Sequence, residues 1–203
     1  EKQMGKEDGQ KPTNKSIGDY IKADNAKKAK GEVYPFSTYT NALKKEHLPD
    51  YFTTERIKKF IKELPEKKPF FMFSNFTKPH FPFDPPEPYD RMYPLESIKL
   101  PKRYKPDFTQ TPAMKQLFDW KCLTEEELTE ENVRRMIAYY YGVISYVDDL
   151  LGDIIKTLKE ENIYDDTLIV LTSDHGEMLG NNGIIWKTES AFHGASIRVP
   201  LII

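Results

Sequence analysis

Thr167-Leu-Ile-Val-Leu-Thr172 runs through apolar, largely β-branched residues and empties into Ser173-Asp-His-Gly176, a carboxylate and an imidazole followed by a glycine. A short apolar run of this kind reads as a strand buried on both faces, the habit of a parallel sheet. Upstream of it Val133, Ile137, Tyr140, Ile144, Val147, Leu151, Ile154 and Leu158 alternate steps of four and three. That spacing predicts a helix of about eight turns with one apolar stripe, packed along its whole length. Thr129 is a candidate N-cap, and Thr124 with Glu127 forms a candidate capping box. Further upstream, Pro69-Phe-Phe-Met-Phe-Ser-Asn-Phe76 is a second nearly continuous apolar run, bounded by prolines. Strand, loop, long helix, strand is a βαβ unit. The expected fold is therefore α/β, a mostly parallel sheet with helices on both faces, its two strands parallel and joined by a right-handed crossover.

Outward from this unit the pattern weakens. Ile57, Phe60, Ile61 and Leu64 recur at helical spacing, with Thr53 or Thr54 as cap and Pro65 as stop, so order is expected to begin near Thr53. Pro79, Pro82, Pro85, Pro86 and Pro88 open a long loop that neither a helix nor a central strand survives. Residues 1–50 carry lysines and scattered single apolar residues, which reads as an insertion or flexible segment; residues 51–203 read as the ordered domain. The end at Pro200-Leu-Ile-Ile203 reads as a strand just starting, so the chain is expected to be a piece of a longer protein.

Composition excludes several classes. With 38% hydrophobic, 31% charged and 13% aromatic residues, the 203-residue chain has enough apolar matter for a core. Thirty basic against thirty-two acidic residues give a net charge of −2, so no global field recruits nucleic acid. No apolar run approaches the ~20 residues of a membrane span. The single cysteine, Cys122, excludes an intrachain disulfide framework and a cysteine-based metal cage.

In an open parallel sheet, ligands bind just past the carboxyl ends of the strands. Two of the four histidines fall there: one run leads into Lys78-Pro-His80, the other into Asp174-His175. Asp174 and His175 offer a hard oxygen and an imidazole nitrogen on a turn that Gly176 permits, a pair able to ligate a divalent cation. The plainer reading is a capped turn with a solvated histidine. His80, on a proline-stiffened turn, can give a proton to a leaving-group oxygen; by itself it reads equally as a loop histidine. Lys187, after Trp186, can neutralise an oxyanion oxygen. His193 either completes a metal site or hydrogen-bonds locally.

Taken together, Phe70–Phe83, Leu168–Gly180, Gly183–Lys187 and Phe192–Ile202, with the long helix between, resemble the corresponding blocks of sulfatases of the alkaline phosphatase superfamily. The resemblance extends over roughly residues 53–203, the later part of such a catalytic domain. It implies that Asp174 and His175 ligate one divalent cation, Ca2+ or in some members Mg2+. It implies that His80 contacts the sulfate ester and protonates the leaving alcohol, and that Lys187 binds a sulfate oxygen; Lys78 belongs to the same turn and is taken as substrate-binding with them. The implied substrate is a small-molecule or glycan sulfate ester, and many relatives are periplasmic or secreted.

Departures accompany the matches. Sulfatases use a Cys or Ser in a Cys/Ser-x-Pro-x-Arg motif, matured to formylglycine, and Cys122 in Lys-Cys-Leu-Thr-Glu is not in one. The paired aspartates that supply the other metal ligands are absent too. The expected function is thus a sulfuric ester hydrolase whose nucleophile is not in this chain. Two alternatives stay open: a phosphate or phosphonate ester hydrolase of the same superfamily, kept alive by His193, and a non-catalytic interaction module on the same fold. Tyr89, Tyr93 and Tyr104 either stack on a sugar or pack their loop.

Overall fold

The computed structural model describes residues 38–65, 68–102, 127–181, 184–187 and 193–203. Cys122, Tyr104 and the Thr124 half of the capping box lie outside them. The packed chain starts earlier than Thr53: Thr38, Leu48 and Asp50 are all buried. Helix α1 spans Pro49–Lys62 with Leu48 as N-cap. Its cap lies at Leu48 rather than at Thr53 or Thr54, because Pro49 occupies the first turn, where its missing N–H costs nothing. Thr53 and Thr54 are not caps; their hydroxyls donate back to the carbonyls of Pro49 and Asp50 at 3.2 and 3.0 Å.

Helix α2, Glu130–Glu160, is the predicted long helix. Thr129 caps it, its hydroxyl accepting from the Asn132 N–H at 3.1 Å. Its buried face is broader than the predicted stripe. Val133, Ile137 and Leu158 are buried as expected, but so are Met136, Gly142, Val143, Tyr146 and Leu150, while Ile144 faces solvent. The cause is the proline loop, which lies as a strap along the helix through 3-10 turns at Tyr89–Arg91 and Leu95–Ser97. At Gly142 a Cβ would stand 2.4 Å from the Tyr89 carbonyl, so only glycine lets the strap approach this closely. Phe83, Ile98, Val133, Met136 and Ile185 form one core cluster, and Ile57, Ile61 and Leu158 join α1 to α2 in another. Tyr89 and Tyr93 serve this packing: Tyr89 donates to Asp149 at 2.5 Å and the Tyr93 hydroxyl pairs with Ser145 at 2.7 Å.

The sheet departs from expectation. Among the described residues it consists of β1, Leu171–Thr172, and β2, Leu201–Ile202, paired antiparallel, and residues 69–76 form no ladder with β1. Nor are the two apolar runs covered on both faces. Met72, Phe76 and Ile169 pack against α1 and α2, while Phe71, Phe73 and Leu168 are 90%, 84% and 78% exposed. Side chains alternate sides along extended chain, and the two helices cover one side only. Between α2 and β2 lies α3, a single helical turn at Gly194–Ile197. No described helix is long and apolar enough to cross a membrane.

Candidate functional site

The turn bearing His80 is held from below. Asp50, buried in the first turn of α1, accepts the Thr77 N–H at 2.6 Å, and the Thr77 carbonyl accepts the His80 N–H at 3.1 Å. The Lys78 ammonium bonds to the Asp84 carboxylate and to the Pro82 carbonyl at 2.8 Å, with the His80 carbonyl at 3.4 Å. Asn41 donates to the other Asp84 oxygen at 2.6 Å. Burial pushes the Asp84 carboxyl above its ordinary value, and the Lys78 charge and the bonds from Lys78 and Asn41 offset this only in part.

His80 Nδ1 lies 2.7 Å from the Phe81 carbonyl. A carbonyl only accepts, so in the neutral ring Nδ1 carries the hydrogen and Nε2 is left as a lone pair. The ring stacks on Phe81 with centroids 4.6 Å apart, and Phe81 stacks on Trp186 at 4.4 Å. Trp186 has a left-handed φ of 62°, and the next residue is Lys187. This deck of three rings ties the His80 turn to the Lys187 segment. Although its edge is open to solvent, desolvation of His80 is the largest cause holding it below the usual histidine value; the Phe81 bond opposes the fall, and the charges of Lys187, Lys78 and His175 deepen it.

Asp174 and His175 follow directly on β1. The His175 N–H donates to Asp174 Oδ1 at 2.9 Å and the Ser173 hydroxyl to the His175 carbonyl at 2.8 Å. His175 Nδ1 is 2.8 Å from the Gly176 carbonyl, so in the neutral ring Nε2 again carries a lone pair, and it stands 3.7 Å from Asp174 Oδ2. Two lone-pair donors facing each other without a hydrogen between them fit two ligands of a divalent cation. Slight desolvation pushes Asp174 up, but the His175 charge, backbone N–H bonds and Lys187 outweigh it and hold the carboxyl below its usual value. Gly176 is required for space: a Cβ there would lie 2.0 Å from the Ala195 carbonyl. Its N–H donates to Ser196 at 2.7 Å, pinning α3 to the turn.

The charges of Lys187 and His175 each bear on His80 and on Asp174. His193 caps α3 with its carbonyl, which accepts from Ser196 and Ile197. Among the described residues no group of three or more His, Cys, Asp or Glu side chains gathers to hold a metal. Asp50, Asp84 and Asn41 were not legible as site residues. A buried acid looks like any other in sequence, and the only clue was Asp84 standing six places after Lys78 in a loop stiffened by proline.

A family model described as Sulfatase matches residues 8–203. The chain belongs to the sulfatase family. Within it, this sulfatase chain is 36% identical over 173 residues to the multifunctional alkaline phosphatase superfamily protein PehA of Trinickia caryophylli, covering 79% of the chain and 33% of that protein. It is 31% identical over 171 residues to the iduronate 2-sulfatase of Mus musculus, covering 77% of the chain and 30% of the relative. Among solved structures, the phosphonate monoester hydrolase of Agrobacterium radiobacter aligns with a TM-score of 0.71 at 26% identity, over 90% of this chain and 40% of that one. The sulfatase chain thus spans about a third of the length of the curated relatives it matches. The fold is that of the alkaline phosphatase superfamily, represented in part.

Proposed function

We propose that the protein carrying this chain is a divalent-cation-dependent sulfatase that hydrolyses a sulfate monoester, and that this chain supplies its leaving-group and oxyanion side. The observation that carries the reading is the stack of His80, Phe81 and Trp186, which sets the His80 turn against the segment that bears Lys187. Lys187 supplies a fixed positive charge for a non-bridging oxygen, where it stabilises charge that grows in the transition state. The proton that reaches the departing alkoxide comes from His80 Nε2 in its protonated form; with Nδ1 fixed on Phe81, that nitrogen is the one free to meet the ester. Asp174 and His175 would hold the cation, Ca2+ or Mg2+, whose chemistry when bound is to polarise the ester oxygens. The nucleophile, a formylglycine in the sulfatase reading, lies outside this chain.

The test is turnover of 4-nitrophenyl sulfate by the complete protein, with His80→Ala expected to lower kcat/KM by about 10²–10⁴-fold. The 203-residue chain alone is expected to show none, for want of a nucleophile; hydrolysis by the pure chain that His80→Ala abolishes would refute this. A second reading, hydrolysis of phosphonate or phosphate esters, draws on the structural likeness to the phosphonate monoester hydrolase. A kcat/KM for phenyl phosphonate exceeding that for the sulfate would decide for it.

A further inference from the structure

We propose that Asp84 is a positioning residue: acting through Lys78, it fixes the His80 turn so that Nδ1 stays on the Phe81 carbonyl and Nε2 faces outward. The proposal deepens the reading above, since it rests on His80 being the group that meets the ester, and it moves Lys78 from the ester to the scaffold.

An ammonium has three hydrogens and no acceptor capacity. Lys78 has three acceptors around it: Asp84, the Pro82 carbonyl and the His80 carbonyl. Two of these are backbone groups that flank Phe81, the residue whose carbonyl holds the His80 ring. The lysine therefore clips together both ends of the peptide segment that sets the ring's orientation. Its counter-charge is fixed in turn. Asp84 is 7% exposed, its second oxygen is taken by Asn41, and the Asn41 N–H is bound to the Pro85 carbonyl at 3.1 Å. For Lys78 to reach a sulfate it would have to leave a buried carboxylate without its cation, an exchange the surroundings oppose.

The His80 tautomer, read from long-range ¹H–¹⁵N imidazole spectra of the 203-residue chain near pH 8, tests the proposal. The unsubstituted chain is expected to show the Nδ1–H form. Asp84→Asn and Lys78→Met are each expected to lose that signature in favour of the Nε2–H form, with amide signals outside the turn unmoved. If a single substitution leaves one buried charge unpaired and the chain unfolds, the double variant Lys78→Met/Asp84→Asn removes both charges, and the same loss is expected there. Retention of the Nδ1–H form in folded Asp84→Asn or in the double variant overturns the proposal. Hydrolysis plays no part in this readout, so a failure here is separate from a failure of the sulfatase reading, which turnover decides.

Discussion

His80 and Asp174 both feel the Lys187 charge, yet the chain holds them by different means. The His80 corner rests on a buried scaffold whose bonds span 27 and 43 residues, through Asp50 and through Asn41 to Asp84, and on the strap against Gly142. The Asp174 corner is local: its side chain is 85% exposed, and its bonds run to Ser173, His175 and its own turn. The contrast follows from chemistry. An imidazole that must present one nitrogen needs its ring fixed, whereas a carboxylate that receives a cation is oriented by the cation itself. Substitutions at the first corner should therefore cost stability, and those at the second should cost binding alone.

The largest effect is expected at Asp84. Asp84→Ala strands the largely buried Lys78 ammonium and should lower unfolding free energy in urea by about 3–5 kcal/mol. Gly142→Ala comes next. The new methyl meets the Tyr89 carbonyl, and overpacking of about 1–3 kcal/mol should outweigh the ~1 kcal/mol that alanine gains in a helix. Asp174→Ala, by contrast, should stay within about 0.5 kcal/mol of the parent stability while abolishing the heat of Ca2+ or Mg2+ binding to the complete protein by titration calorimetry. An Asp174→Ala loss as large as that at Asp84 would erase the distinction between the corners.

The smallest effect is a titration. His80 should titrate below its ordinary 6.5 in NMR spectra of the chain, and Lys187→Ala should move it upward by removing one of the charges that depress it. The sign for stability follows. As pH falls through about 6.5 the unfolded chain takes up a proton that the folded chain resists, so this contribution is full above that value and lost towards the lower, folded one.

Much of this was legible in the residues. The four-and-three spacing of Val133–Leu158 gave the long helix, and Thr129 gave its start, because helix periodicity and capping are local. The motifs around His80, Asp174 and Lys187 gave the family. What escaped is non-local. The burial of Gly142 and Tyr146 depends on a strap whose path no periodicity encodes. The strand pairing depends on partners far along the chain, so Leu171–Thr172 meets Leu201–Ile202 rather than residues 69–76. Asp50 and Asp84 matter through what they touch, and a single acid in a proline loop announces no partner.

Trp186 carries one further consequence. An indole at a left-handed φ is a conformation that a free peptide avoids, and here Phe81 lies flat against it, with His80 on the far side. The His80 turn and the backbone that leads into Lys187 are thereby joined through one stack of rings. A denaturant pulse should release both sides in one step, so hydrogen exchange at His80, whose N–H donates to Thr77, and at Met178, whose N–H donates to the Trp186 carbonyl, is expected to share a single opening rate.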